Sequence, residues 1–113
     1  MPQVNISLAG TLDDAAKMKL QLAVGDAIQV LPTKNIDNTQ ICLIEDCSFY
    51  KSGEPIDGVF VDIRLFKQSP EESKKDFAAK MYSILKEALG IEPDCVYMNF
   101  LEFENWVANG DYR

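Results

Sequence analysis

The chain opens Met1-Pro2, and a proline in second place is the residue with the most unusual chemistry open to it. A small residue after the initiator methionine permits trimming, which would leave Pro2 as a free secondary amine. Held against low-dielectric surroundings, such an amine disfavours its charged form, so its pKa falls and it can serve as a base. A Met-Pro start also arises by chance, and the dipeptide alone favours that plainer origin; the remaining residues have to decide. The chain has no histidine, which excludes Ser-His-Asp and Cys-His nucleophiles and leaves few groups besides a perturbed amine to move protons near neutral pH. Cys42, Cys47 and Cys95 are odd in number and lack CxxC spacing, so they support neither a disulfide framework nor a zinc site and read as buried or semi-buried thiols. No metal and no cofactor is expected.

Composition sets the class. With 113 residues, 47% hydrophobic and 26% charged, the chain reads as one soluble globular domain, 1–113, small enough that assembly would help it bury surface. A net charge of −7 argues against a nucleic-acid partner, whose phosphates need a basic face. No apolar run nears the roughly 20 residues of a membrane span. The start has no basic region leading into an apolar stretch, so a cytoplasmic location is the expectation.

The elements that must position these residues repeat once. A shift of 57 residues lays Val4-Asn5-Ile6-Ser7-Leu8 on Val61-Asp62-Ile63-Arg64-Leu65, both with the period of a strand. The same shift sets Leu20, Val24, Ala27, Ile28 and Leu31 on Phe77, Met81, Ile84, Leu85 and Ala88, a helical stripe. It then sets Ile41–Glu45 on Met98–Glu102; identities are few, for example Lys17/Lys74, Asp37/Asp94 and Gly53/Gly110, so the repeat is one of pattern more than of sequence. Two β-α-β units, about 1–57 and 58–113, follow. Right-handed crossovers would put both helices on one face of a four-stranded mixed sheet, an α+β fold. Thr11 reads as the cap of the first helix, with Asp13 and Asp14 at its positive end, and Pro32 as its stop. The second helix reads as Ser69 cap, Pro70 in the first turn, Glu72 closing a capping box and Gly90 past the end. Strands are expected at Thr39–Glu45, Gly58–Phe66 and Cys95–Phe103. Phe49–Pro55 reads as turn formers, and the tail after Phe103 as too polar for core. Alternation sends Asn5, Ser7, Asp62, Arg64, Tyr97 and Asn99 to the sheet face away from the helices. A polar face of that kind is either solvated or enclosed in an assembly.

Taken together, the Met-Pro start before a strand, Lys34 after the first helix, Phe49-x-x-Ser52-x-Glu54-Pro55, the doubled β-α-β plan and Gly90-Ile91-x-Pro93-Asp94-x-Val96-Tyr97-x-Asn99 resemble the tautomerase superfamily. The nearest resemblance is to the branch of macrophage migration inhibitory factor and its bacterial relatives, and it spans essentially the whole chain. Glu104-Asn105-Trp106 and Gly110 look more like the bacterial members. The resemblance implies a homotrimer whose sheets enclose a channel, with Pro2 as catalytic base and Lys34 holding a substrate carboxylate. It also implies that Tyr97 and Asn99 reach the pocket from a neighbouring subunit.

Each residue has a plainer role beside that one. Lys34, one of 11 basic residues, could be a solvated loop lysine; in the functional role its charge binds an anion and lowers the amine's pKa. Tyr97 is either a hydrogen-bonded wall residue or the donor to a developing enolate oxygen. Asn99 could simply fix neighbouring backbone. Phe103 and Trp106 read first as interface packing, with an apolar pocket wall as the alternative.

The function implied is a cofactor-independent keto-enol tautomerase for a small anionic 2-keto acid such as phenylpyruvate. Two other readings stand beside it: a decarboxylase or dehalogenase of the same superfamily, and a non-catalytic, cytokine-like trimer that binds a protein. The cytokine's CxxC is missing, so thiol-disulfide exchange is not carried over. The paired arginines of the dehalogenase and decarboxylase members are replaced by Lys67-Gln68-Ser69. Arg64 and Asp37 keep hydration chemistry open.

Overall fold

Alternation along Pro2–Leu8 sorts one strand into two environments. Pro2, Val4, Ile6 and Leu8 are buried, while Gln3, Asn5 and Ser7 are half-buried on the other side, as a side-chain period of two requires. The computed structural model describes residues 1–113. Its elements are β1 (Pro2–Leu8), α1 (Asp14–Ala27), β2 (Gln40–Ile44), β3 (Phe49–Lys51), β4 (Glu54–Ile56), β5 (Val59–Phe66), α2 (Glu71–Leu89), β6 (Val96–Phe103), β7 (Val107–Ala108) and β8 (Asp111–Tyr112). Four strands form one sheet in the order β2-β1-β5-β6. β1 and β2 are parallel, β5 and β6 are parallel, and the two pairs meet antiparallel through β1 and β5. At that seam Val4 faces Ile63, Asn5 faces Asp62 and Ile6 faces Val61. This is the expected mixed α+β sheet built from two β-α-β units. No helix is long and apolar enough to cross a membrane.

The core is the apolar face of this sheet closed by two helical stripes. Leu20, Val24, Ala27, Ile28 and Leu31 come from the first helical segment and Phe77, Met81 and Leu85 from α2; they join Val4, Ile6, Val61 and Ile63 in one buried cluster. The stripes diverge at their ends. Ala88, expected on the buried face, is exposed, whereas Leu31 is fully buried. The first helix tightens to a 3-10 turn over Ile28–Val30, and three residues per turn instead of 3.6 rotate Leu31 inward. α2 keeps its pitch to Leu89, whose partly buried side chain packs there instead.

The helix starts also differ from expectation. Asp13, not Thr11, caps α1, its carboxylate accepting the Ala16 N–H at 2.8 Å. Ser69 and Glu72 make no capping box; Pro70 occupies the cap position without a side-chain bond. The reason lies across the sheet, where Glu102 takes the Ser69 N–H at 2.6 Å and the Lys74 ammonium at 2.8 Å. Glu45 does the same in the first unit, with the Leu12 N–H at 2.6 Å and Lys17 at 3.0 Å. Each carboxylate thereby ties the entry of its helix to the end of the last strand of its unit. These partners hold both carboxyls below the usual glutamate range: the Leu12 N–H first and then Lys17 for Glu45, Lys74 first for Glu102.

Two segments read as turn or tail are hairpins. β3 and β4 close over Ser52-Gly53, and β7 and β8 over Asn109-Gly110, with φ of 54°, 78°, 53° and 79° in that order. Two successive left-handed residues make the tight turn whose twist matches paired strands, which is why glycine stands second in both. Strands of two and three residues are too short to show a period.

Phe77 is fully buried and meets Phe100 edge-on, centroids 6.2 Å apart, so Phe77→Ala should cost about 3–5 kcal/mol of stability in urea unfolding. The lowered glutamates set a pH dependence. Because each folded pKa lies below its unfolded value near 4.5, the stability they confer is complete above that value and is lost as pH falls through the folded pKa. The double variant E45Q/E102Q should be less stable at pH 7 and should lose less further stability on acidification than the parent.

Candidate active site

β1 carries the N-terminal end of the chain to the rim of the sheet, where three elements converge. Pro2 is buried opposite Leu65 of β5, and Leu65 is opposite Glu102 of β6. One residue further on, Phe66 and Phe103 are paired. The tail then turns back: the Trp106 carbonyl accepts the Arg113 N–H at 2.7 Å. This sets the indole against Phe66 and Phe103, centroids 6.5 and 6.2 Å away. An open groove of about 780 Å³ results, its lining including Met1, Pro2, Asp37, Arg64, Phe103 and Trp106.

Lys34 approaches from the other side. The 3-10 turn ends at Leu31, whose carbonyl accepts the Lys34 N–H at 3.1 Å, and the Lys34 ammonium donates to the Phe66 carbonyl at 3.3 Å. The ammonium stands beside the α-amine of Met1. Burial, then the Lys34 charge and hydrogen bonding, then the Arg113 charge, lower that amine from 8.0 to about 6. A nitrogen placed here is therefore half neutral near pH 6, without a histidine to accept its proton. While Met1 is attached, the Pro2 nitrogen is a planar amide without a basic lone pair; removal of Met1 transfers the amine to Pro2.

Arg64 reaches the groove from the polar face of β5, its Nε 3.2 Å from Asp62 Oδ2. The second oxygen of Asp62 is buried without a partner. Pro2, Arg64, Phe103 and Trp106 thus share one groove, with Lys34 next to it. Tyr97 and Asn99 do not join them. Tyr97 is six residues before Phe103 on β6, roughly 20 Å at the rise of a strand, and is 65% exposed. Its ring faces the Lys51 ammonium, 5.6 Å from the centroid. Asn99 is exposed on the same face. Phe103 and Trp106 meet at a tilt of 53° within the chain and also wall the groove.

Sequence reasoning missed the Phe66 carbonyl as the anchor of Lys34, Arg113 beside the amine and Asn105 and Asn109 in the lining. Backbone acceptors leave no residue-type signal. The tail residues depend on a hairpin whose one cue was Asn109-Gly110, the counterpart of Ser52-Gly53.

No protein-family model matches the chain, and no curated protein matches it by sequence. Solved structures do match in shape. The MIF2 protein of Leishmania major superposes with a TM-score of 0.92 at 16% identity, over 100% of this chain and 97% of its own. Pt0534, in a structure described as inactivated by 2-oxo-3-pentynoate, gives 0.85 at 20% identity over 96% and 93%. A wild-type fused 4-OT, described as a symmetric trimer, gives 0.78 at 19% identity over 89% and 85%. With the central N-terminal strand and its paired β-α-β units superposing over nearly the full chain, this protein has the fold of the tautomerase superfamily, in its macrophage migration inhibitory factor-like form.

Proposed function

We propose that the chain is a cofactor-independent keto-enol tautomerase, a cytoplasmic homotrimer acting on a small 2-keto acid, with the amine of Pro2 as base once Met1 is removed. The observation that carries this reading is the half-buried α-amine of Met1 beside Lys34, lowered to about 6, at the mouth of a groove that Pro2 also lines; a Pro2 amine would meet the same burial and the same Lys34 charge. A neutral amine at pH 7 is what proton abstraction next to a carbonyl requires. Lys34 supplies the charge for a carboxylate, and the Phe103–Trp106 wall suits an apolar or aromatic substituent. The inactivation of Pt0534 by a 2-oxo compound supports a keto substrate, and the trimer of fused 4-OT supports the assembly. Three unpaired thiols suit a reducing compartment.

The chemistry follows from these groups. The Pro2 nitrogen takes the proton from the carbon next to the keto group, and the C–H electron pair becomes the enolate double bond as charge moves to the oxygen. Tyr97 of a neighbouring subunit donates its hydroxyl to that oxygen, with Asn99 beside it. Net delivery of the proton held by Pro2 to the oxygen, by way of water, gives the enol and frees the amine, and the reverse sequence returns the keto acid. In a single protomer Tyr97 is exposed and far from its own groove, which is the arrangement that a donor to a second chain needs.

A second reading rests on Arg64 and Asp37, which line the same groove. A guanidinium there could hold a carboxylate for decarboxylation, and with a carboxylate beside it could hold and activate water for hydrolytic dehalogenation. Against it stands the pairing of Arg64 with Asp62, which uses part of its donor set.

Intact mass should show loss of Met1, and a version with an uncleaved N-terminal extension should not turn over the enol of phenylpyruvate; equal turnover would end the assignment of Pro2 as base. The rate kcat/KM should rise with pH through an amine pKa below the ordinary α-amino range. In Lys34→Ala that limb should move to higher pH, because a charge that lowers the pKa is gone. The same variant should raise KM for a keto acid far more than for a neutral ketone, a charge-assisted contact being worth about 1.5–3 kcal/mol. Equal losses on both substrates would show that Lys34 does not meet the carboxylate. Light scattering should give a trimer mass at micromolar concentration, and a monomer would remove Tyr97 from the site.

A further inference from the structure

We infer that Glu102, which touches neither the groove nor the N-terminus, is a positioning residue for Lys34, acting through the loop between β5 and α2. The inference rests on the role of Lys34 given above. The Lys34 ammonium donates to the Phe66 carbonyl at 3.3 Å, so where it stands depends on the direction of that carbonyl. The peptide joining Phe66 to Lys67 is planar and trans, with its C=O and N–H pointing opposite ways. Its N–H donates to the Phe103 carbonyl at 2.7 Å, which aims the C=O away from β6. Lys67 holds a φ of 69°, a left-handed conformation that a lysine adopts only when its surroundings impose it. Two residues on, the Ser69 N–H is fixed on Glu102 at 2.6 Å, and Lys74 holds the same carboxylate at 2.8 Å. The loop is thus pinned at both ends to successive residues of β6, and Glu102 is the side-chain pin.

The first unit provides a matched control. Glu45 grips the Leu12 N–H and Lys17 in the same way, 57 residues earlier. The counterpart of Lys34 under that offset is Ile91, and the counterpart of Pro2 is Val59, so this clamp has neither a cation nor an amine to position. The two clamps share their side-chain chemistry and differ in what lies beyond them and in the backbone bond beside them, which in the first unit runs from the Asp46 N–H to the Gly10 carbonyl at 3.0 Å.

Glu102→Ala, Glu45→Ala and Lys34→Ala should be compared with the parent. Two readouts apply: the pKa of the terminal amine, followed by NMR, and steady-state kinetics on a keto acid and a neutral ketone. Glu102→Ala should raise the amine pKa, and it should raise KM for the keto acid about tenfold, part of a charge-assisted hydrogen bond, with little change for the neutral ketone. Glu45→Ala should lower thermal stability to a similar degree and change neither readout. If Lys34→Ala shifts both readouts while Glu102→Ala matches Glu45→Ala in both, the positioning role is overturned and the carboxylate role of Lys34 stands. If Lys34→Ala leaves the keto-acid KM unchanged, the carboxylate role falls, and the amine pKa of Glu102→Ala against Glu45→Ala still decides the positioning role. Should Glu102→Ala not fold, Lys74→Met against Lys17→Met makes the same comparison by removing only the outer partner of each clamp, with a rise in amine pKa expected for Lys74→Met alone and equal values overturning the inference.

Discussion

A carboxylate that accepts one backbone N–H and one lysine closes each half of this protein. A β-α-β unit has a weak joint where the chain leaves the sheet and enters the helix, because the first N–H groups of a helix have no partner within it. In both units a glutamate at the end of the returning strand reaches over to satisfy an N–H just ahead of the helix, while a lysine from the helix's first turns neutralises the charge. An exposed ion pair alone would add little. Joined to a backbone N–H, the same carboxylate fixes where the helix begins, and this is why neither helix uses the serine or threonine cap that its sequence offers.

Charge is distributed against the average. The protein carries a net charge of −7, yet Lys34 and Arg113 act on the terminal amine, Arg64 lines the groove and Lys67 lies 5.2 Å over the Phe66 ring. Arg64 and Lys67 are paired with Asp62 and Glu104, and Lys34 and Arg113 are the cations whose charge reaches the amine. Burial first, and then the charges of Lys34 and Arg113, lower the pKa of the Met1 amine. In the proposed function, the Lys34 charge that would hold an acid is the same charge that favours the free lone pair.

How far the sequence disclosed this arrangement depends on the kind of signal each part leaves. Strand alternation at Val4-Ile6-Leu8 and Val61-Ile63-Leu65, and the stripe Leu20-Val24-Ile28, are periodic and were legible, as was the sheet they build. Pro2, Arg64, Phe103 and Trp106 were named from residue type and resemblance, and they share a groove. Their grouping could not be read from the chain, because the β7–β8 hairpin that swings Trp106 inward has two-residue strands without a period. Side-chain bonds to backbone leave no pattern either: Thr11 and Ser69 have the residue type of caps, yet Asp13 caps α1 and Pro70 stands at the cap of α2 without a side-chain bond, Glu102 holding the N–H one residue earlier. One trace did exist: Lys17 and Glu45 recur as Lys74 and Glu102 at the common offset, a charged pair kept while most apolar positions drifted in identity.

The register at the seam between β1 and β5 has a geometric consequence. Val4 faces Ile63 and Ile6 faces Val61, but under the offset of 57 residues Val4 corresponds to Val61 and Ile6 to Ile63. Val4 therefore meets the counterpart of Ile6 while Ile6 meets the counterpart of Val4, and Asn5 meets its own counterpart, Asp62. That is the signature of an isologous contact, in which the same surface is used from both sides of a two-fold axis, here passing between Asn5 and Asp62. The seam within one chain has the form of a dimer interface between two copies of a 57-residue unit. Such an axis would generate two identical rims, one at each end of the sheet. The two ends are not equivalent, because Pro2 stands next to the terminal amine of Met1 whereas its counterpart Val59 lies mid-chain between Gly58 and Phe60.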